Sequence, residues 1–195
     1  MDVEALLIVE VEGSEAEMDA MLASIIGIAG RHGVKVVKES QSATEAALIW
    51  KGRKSAFGAT GRIADYICMD GTVPLGQLSH VLRGTAEIVA KYGLRVANVF
   101  HAGDGNMHPL ILFNANVPED AARAEAAGND ILRLCVDAGG CLTGEHGVGI
   151  EKRDLMRHQY ADVDLAQMMS VRSAFDPGWI LNPSKVFPLD GRNAA

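Results

Sequence analysis

The chain has 195 residues, 48% of them hydrophobic and 22% charged, and this composition excludes intrinsic disorder as its main state. The 18 Lys and Arg residues against 25 Asp and Glu give a formal net charge of −7, which disfavours a nucleic-acid partner because such proteins normally present a basic face. No apolar run approaches the roughly 18 residues of a membrane span, and the 3 cysteines cannot all pair, which favours a reducing compartment. We therefore expect a cytoplasmic protein with no transmembrane segment and no nucleic-acid partner.

The first part of the chain predicts a strand, a helix and a second strand in that order. Residues 5–11 form an aliphatic run typical of a strand. Ser14 and Glu17 have the spacing of a capping box at the start of a helix, and residues 34–37 predict the second strand. A further helix is predicted over residues 42–50.

The same order of elements is predicted again further along the chain. Strands are expected over residues 63–69 and 94–100, on either side of a helix that begins at Pro74. Two more helices are predicted, one beginning at Pro118 and one over residues 162–175.

The first helix of each half ends in a similar sequence, Arg31-His32-Gly33 and Lys91-Tyr92-Gly93. One interpretation is that basic residues followed by glycine suit any helix end. The other is a pair of βαβ units, which gives the predicted fold class: α+β, with a ferredoxin-like antiparallel sheet, helices packed on one face, and C-terminal helices.

The segment from His101 to His108 is the first candidate site, because its two histidines flank a turn rich in glycine, Asp and Asn. If Asp104 and Gly105 form a two-residue hairpin loop, His101 opposes His108 on one face, with Cβ atoms about 5 Å apart. Two imidazoles in that arrangement can hold one metal ion. The alternative is a pair of surface histidines beside a flexible turn.

The glycine-rich segment from Gly139 to Gly149 is the second candidate site, because it encloses Glu145 and His146. In extended backbone these two side chains point to opposite sides, so that one can bind a metal while the other faces a substrate. The alternative is a flexible surface loop. Two histidines and one glutamate are a common ligand set of catalytic zinc, and the same set suits Mn²⁺ or Fe²⁺.

Several longer segments carry a family resemblance: Trp50–Gly58, Met69–Pro74, Val99–Pro109, Gly144–Lys152, Phe175–Pro177 and Leu181–Phe187. Together they resemble the C-terminal domain of FAD-linked 2-hydroxyacid dehydrogenases and oxidases, and the resemblance covers nearly the whole chain. That family includes the flavin subunit of glycolate oxidase, D-lactate dehydrogenases and D-2-hydroxyglutarate dehydrogenase.

The resemblance implies a metal centre and a catalytic base. His101, His108 and Glu145 would bind a divalent metal, which is Zn, Mn or Fe. His146 would be the base that takes the proton of the substrate hydroxyl. The cofactor of the reaction would be FAD, and the substrate a small-molecule 2-hydroxy acid.

The resemblance also implies how substrate and flavin are held. Arg53 would bind the substrate carboxylate, for which its planar guanidinium is suited, and Asn182 and Lys185 would lie toward the flavin. In the hydroxyglutarate branch a lysine stands where this chain has Cys68 and an asparagine where it has Leu110. Their absence predicts a small monocarboxylate, glycolate or D-lactate, as the substrate.

We expect residues 1–189 to be this substrate-binding and metal-binding domain and residues 190–195 to be a tail. No segment resembles the family's upstream FAD-binding domain, so the chain is expected to be a piece of a longer enzyme and inactive alone. Its expected partners are that domain, other oxidase subunits, electron-transfer partners at the inner face of the membrane, and further copies of itself. Two alternatives remain open: a non-catalytic ferredoxin-like module that binds metal or dimerises, and a metal-dependent hydrolase.

Overall fold

Helices account for most of the regular structure in the computed structural model, which describes residues 3–188. The chain divides into two units, Met1–Ala56 and Phe57–Ala195. Within the described range there are six α-helices and two small antiparallel sheets, so the predicted α+β class is confirmed. The predicted tail, residues 190–195, lies outside the described residues.

The first unit contains helix α1 (Glu15–Arg31) and most of helix α2 (Ala43–Thr60). The predicted capping box is confirmed, because the amide and the hydroxyl of Ser14 both donate to Glu17 Oε2, at 2.9 and 2.7 Å. Helix α2 covers all but the first residue of the helix predicted over residues 42–50 and continues well beyond it.

Two predicted strands of the first unit are absent from the structure. Residues 5–11 and 34–37 have no regular structure, and the strands of the two described sheets all come from the second unit. A strand needs a partner for its backbone amides and carbonyls, and these segments pair with none of the described strands. Leu7 and Val36 are accordingly 73% and 57% exposed. The prediction of two βαβ units is therefore wrong for the first unit of this structure.

The two similar helix ends do have the same geometry. Gly33 and Gly93 both adopt positive φ, 73° and 67°, which is the left-handed conformation that ends many helices. After each glycine, Val34 and Leu94 donate their amides back to a carbonyl of the last helical turn, both at 3.1 Å. The repeated sequence thus encodes a helix stop, and only the second stop leads into a strand.

The second unit contains all the described strands and four helices. These are β1 (Asp65–Cys68), β2 (Gly71–Thr72), α3 (Leu78–Lys91), β3 (Arg95–Asn98), β4 (Asn106–Met107), β5 (Pro109–Phe113), α4 (Pro118–Asp137), α5 (Met156–Gln159) and α6 (Asp162–Phe175). The sequence predicted the main ones, including Pro118 at the start of α4 and the bounds of α6.

The larger sheet has the order β1-β5-β3, with β5 antiparallel to both neighbours. Strands β1 and β3 are therefore parallel to each other and joined through α3, which is the βαβ unit predicted for this half of the chain. Val81, Val89, Ile111, Ile131 and Leu132 are at most 2% exposed, and they form the core between this sheet, α3 and α4. Burial of each such side chain contributes roughly 1.5–3 kcal/mol.

Alternation along β5 separates this core from the opposite face of the sheet. Ile111 belongs to the core with α3 and α4, whereas its neighbour Leu110 points to the other side. Leu110 pairs with Cys68 of β1 in the sheet register. His108, two residues before Leu110, shares that opposite face, where the candidate site lies.

None of the helices in the described range combines the length and the apolar character that crossing a bilayer requires.

The cysteines should differ sharply in reactivity. Cys135 is 1% exposed, and burial raises the pKa of its thiol to about 12, so very little of it is the reactive thiolate at pH 8. Cys141 is exposed. We expect iodoacetamide to label Cys141 in the native protein and Cys135 only after unfolding in urea, as measured by peptide mass spectrometry. Equal labelling of both under native conditions would contradict the packing described above.

Candidate functional site

The short strand β2 brings the two candidate clusters together. On one side Gly71 and Thr72 pair with Met107 and Asn106 of β4. On the other side Thr72 and Cys141 exchange amide-to-carbonyl hydrogen bonds of 3.0 and 3.1 Å. The segment from His101 to His108 and the glycine-rich segment from Gly139 to Gly149 therefore lie on either side of β2, although the two segments are far apart in sequence.

The hairpin register differs from the predicted one. His101 pairs with Asn106, to which its amide donates at 3.0 Å, rather than with His108. The loop is longer than two residues because Ala102–Asp104 form a 3₁₀ turn and Gly105 follows with a φ of 66°. The shift is by an even number of positions, so the two histidines still share a face. Their rings meet edge to face, with centroids 5.5 Å apart and planes at 84°.

His108 lies at the centre of the site and is 2% exposed. Its Nε2 is 3.0 Å from Glu145 Oε1, and its Nδ1 is 3.4 Å from Met69 O and 3.8 Å from Asp70 Oδ1. Both ring nitrogens thus face oxygen acceptors, whereas a neutral imidazole has one proton to donate. Oxygen atoms facing both ring nitrogens are the surroundings typical of a metal-binding imidazole, in which one nitrogen binds the ion and the other donates to an oxygen.

The loop from Gly144 to His146 is bent, not extended as predicted. Its bend follows from three consecutive amides that all donate to the carboxylate of Asp70, at 2.8 to 3.2 Å. The prediction that Glu145 and His146 point to opposite sides is therefore wrong. Both side chains reach His108, and the His146 ring stacks on it with centroids 5.0 Å apart and planes at 9°.

Two overlapping sets of side chains in the described range could hold a metal ion. One is Cys68, His108 and His146, and the other is Asp70, His108, Glu145 and His146; in each set the ligand atoms lie within 4.8 Å of one another. Of the predicted ligands, His108 and Glu145 belong to the second set, and His101 lies beside His108 but outside both sets.

The orientation of the histidine rings and the distances between their ligand atoms favour different partners for His108. An imidazole nitrogen binds metal in the plane of its ring. The planes of His101 and His108 are nearly perpendicular and therefore intersect, an arrangement compatible with two ligands of one ion. The planes of His146 and His108 are nearly parallel, so an ion in the plane of one ring lies outside the plane of the other. Ring orientation is thus compatible with His101 as the partner of His108, whereas the distances between ligand atoms select His146.

Asp70 is the main residue of the site that the sequence analysis left without a role. It is completely buried, and its carboxylate accepts hydrogen bonds from five groups. These are the amides of Gly144, Glu145 and His146, the hydroxyl of Thr143 and the ammonium of Lys152. Burial raises the pKa of Asp70, but the hydrogen bonds from the His146 amide, Thr143 and the Glu145 amide, with the charge of Lys152, outweigh it and hold that pKa well below its usual range.

One sequence signal could have identified this residue. Asp70 follows the predicted strand 63–69 directly and is itself followed by Gly71. A carboxylate at the end of a buried strand needs partners, and Lys152 lies just after the glycine-rich loop. The pairing of these two residues across the chain could not be read from spacing alone.

The remaining predicted residues lie elsewhere in the chain. Arg53 is on α2 in the first unit. Asn182 is exposed and has a φ of 43°, a conformation that Asn tolerates better than most residues. Lys185 donates its Nζ to Pro183 O at 3.3 Å. Their roles toward substrate and flavin stay predictions.

The chain belongs to the family described as FAD linked oxidases, C-terminal domain, whose model matches residues 1–186. The family resemblance noted from the sequence motifs is thereby confirmed. The domain is thus part of a family of FAD-linked oxidoreductases.

Individual relatives include oxidase subunits and dehydrogenases. Glycolate oxidase subunit GlcD of Escherichia coli (strain K12) is 48% identical over 189 residues, which cover 96% of this chain and 38% of that protein. Glycolate oxidase subunit GlcD of Bacillus subtilis (strain 168) is 31% identical, with 96% of this chain and 40% of that protein covered. The mitochondrial D-lactate dehydrogenase (cytochrome) of Kluyveromyces lactis is 33% identical, with 91% of this chain and 31% of that protein covered. The chain therefore spans well under half the length of these relatives.

Proposed function

We propose that the chain is the substrate-binding and metal-binding domain of a flavin-dependent dehydrogenase that oxidises a small 2-hydroxy acid to the 2-oxo acid. The observation that carries the proposal is the approach of His108 Nε2 and Glu145 Oε1 to 3.0 Å. Relatives named for glycolate oxidase and D-lactate dehydrogenase support the reaction class.

The donor chemistry of the site fits a divalent metal. His108 faces acceptors with both nitrogens, so a cation beside Nε2 would satisfy it while Nδ1 donates toward Met69 O. We propose that His101, His108 and Glu145 hold this ion. The ion supplies a Lewis acid that makes a nearby hydroxyl more acidic. Zn, Mn and Fe all suit two imidazoles and a carboxylate.

We propose that His146 takes the proton of the substrate hydroxyl. Its side chain is exposed and its ring stacks on His108, so a substrate beside the proposed metal site could meet it. Arg53 would hold the substrate carboxylate, and Asn182 and Lys185 would lie toward the flavin. The flavin, which the upstream domain would mainly hold, would supply the hydride acceptor.

The site favours a small monocarboxylate. Cys68 and Leu110 pair across adjacent strands, on the face that carries His108. Cys68 is a neutral thiol at neutral pH, because burial and the nearby Asp70 raise its pKa to about 11. Leu110 is apolar and fully buried. Neither offers a charge or an amide for a second carboxylate, which supports glycolate or D-lactate as the substrate.

A ferredoxin-like sheet remains part of the proposal. The succession β1, α3, β3, β5, α4 supplies all but the last strand of that fold, and β1 lies at an edge of the three-stranded sheet. Association with the FAD-binding domain, with other oxidase subunits and with further copies of the chain is proposed as well.

The metal site predicts a specific loss of affinity. We expect the chain to bind one Zn²⁺ or Mn²⁺, and the change His108→Ala to abolish binding because it removes the central ligand. His101→Ala should weaken binding, and a His101→Ala/His108→Ala variant should bind none. Isothermal titration of the metal-free chain measures the affinities, and elemental analysis gives the stoichiometry.

His80→Ala is the matched control, because His80 is an exposed histidine on α3 of the same unit. It should bind metal as the unaltered chain does. The proposal fails if the unaltered chain binds no divalent ion, or if the double variant keeps its affinity. If His101→Ala binds normally and His146→Ala does not, His146 is the ligand and His101 is not.

A further inference from the structure

We propose that Asp70 is the positioning residue of this site: it does not bind metal or substrate, but it fixes Glu145 and His146 where they can act. The inference rests on the proposed metal site for its functional meaning. It extends that proposal to a residue outside the predicted ligands.

Three consecutive amides of one loop converge on this single carboxylate. The amides of Gly144, Glu145 and His146 donate at 2.9, 3.1 and 2.8 Å. Consecutive amides point the same way only in a bent backbone, so the anion selects the bent conformation of a glycine-rich loop that would otherwise be costly to order. The bend places both the Glu145 carboxylate and the His146 ring against His108.

Two further side chains, Lys152 and Thr143, keep the carboxylate in place. Lys152 Nζ donates to Asp70 Oδ2 at 3.2 Å and to Thr143 Oγ1 at 3.1 Å, and Lys152 is itself 3% exposed. The Thr143 hydroxyl lies 2.7 Å from Asp70 Oδ2. The buried negative charge is therefore neutralised by one buried ammonium, and it costs the fold far less than an unpaired charge would.

These hydrogen bonds engage the carboxylate of Asp70 within the fold, and they favour a positioning role over metal binding although its oxygens lie near the other candidate ligand atoms. Oδ2 accepts from the loop amides, Thr143 and Lys152, and Oδ1 lies 3.8 Å from His108 Nδ1. The 3.8 Å separation is beyond hydrogen-bond distance, so the carboxylate acts mainly on the loop. Asp70 thus fixes the loop that supplies Glu145, the partner of the central imidazole.

The experiment compares Asp70→Asn with a matched buried aspartate. The Asn side chain has a similar size, but it carries no charge and turns an N–H group toward the backbone N–H groups of the loop. Asp176→Asn is the control, because Asp176 is 7% exposed, pairs with Arg172 and accepts from the amides of Ile180 and Leu181. Both changes remove a buried carboxylate from a set of backbone amides, and only Asp70 holds the loop 144–146.

Two measurements on the chain separate positioning from general stability. Zn²⁺ or Mn²⁺ affinity of Asp70→Asn should fall about 10–100-fold, the usual effect of removing a group that orients metal ligands. In the metal-free chain, amide hydrogen exchange at residues 144–146 should become at least about 10-fold faster while exchange in β5 is unchanged. Asp176→Asn should leave both the affinity and these amides as they are in the unaltered chain.

Thr143→Val and Lys152→Met cover the case in which Asp70→Asn does not fold. Each keeps the aspartate and removes one of its partners, so each should give a smaller loss of metal affinity and of loop protection. The inference is overturned if amide exchange of the loop is unchanged in Asp70→Asn. If Asp70→Asn is unfolded, unchanged loop exchange in Thr143→Val and Lys152→Met overturns it. It is also overturned if metal affinity is unchanged although the unaltered chain binds metal. If the unaltered chain binds no metal, the proposed function fails, and the exchange measurement alone decides the inference.

Discussion

In the flavoenzyme proposed above, His146→Ala should lower kcat by about 10²–10⁴, the usual effect of losing a positioned base, while the proposed metal stays bound. The physical reason is that the His146 ring is exposed and stacked on His108, where it could meet a substrate hydroxyl beside the proposed metal site. Raising the pH should restore part of the rate, because hydroxide can then take the proton. Steady-state kinetics and a pH–rate profile, with metal content measured on the same samples, test this.

Glu145→Ala is the matched comparison, because it alters the neighbouring residue and should fail differently. Its carboxylate faces His108 Nε2 at 3.0 Å, so its removal should lower metal affinity and kcat/KM together, and added metal should restore some activity. Metal loss in His146→Ala with retention in Glu145→Ala would show that the two roles are exchanged.

Gly105→Ala should destabilise the domain by about 2–5 kcal/mol, since it combines backbone strain with a steric clash. Gly105 has a φ of 66°, and a Cβ there would lie 2.1 Å from Val73 O. Relief by local movement is restricted, because the amide of Val73 donates to Gly105 O at 2.9 Å. Urea denaturation followed by circular dichroism measures the loss of stability.

Gly103→Ala is the control within the same turn. A Cβ at Gly103 would meet no heavy atom within 4 Å, and the residue lies outside the positive-φ glycines. Its effect should stay within about 0.5 kcal/mol. Equal effects of the two alanines would mean that the turn geometry described above is wrong.

Local sequence signals were sufficient to predict most helices and to place His101 and His108 on one face. Ser14 with Glu17, Pro118 and the Gly93 stop mark helix ends through contacts made within a few residues, and the structure contains each of them. The predicted hairpin register was wrong because residues 102–104 form a 3₁₀ turn before Gly105, which lengthens the loop. The prediction that the two histidines share a face was still correct, because an even shift of register preserves side-chain alternation.

Long-range pairing explains what the sequence could not predict. Residues 5–11 have the composition of a strand, but strand formation depends on a partner rather than on composition. The bend at Glu145 depends on Asp70, whose position could be found only from the fold. Ring planes at His101 and His146 likewise follow from tertiary packing.

The hydrogen bonds between Asp70 and the loop also set when the site can arise during folding. The loop amides that it binds are 74, 75 and 76 residues later in the chain. Closing so long a segment is entropically costly and tends to occur late, after local helices and hairpins have formed. A ribosome-bound chain that has emerged only as far as α4 would lack Glu145 and His146 altogether. Metal acquisition should therefore be a late event in the maturation of this domain, and a metal ion should stabilise the finished domain rather than direct its early assembly.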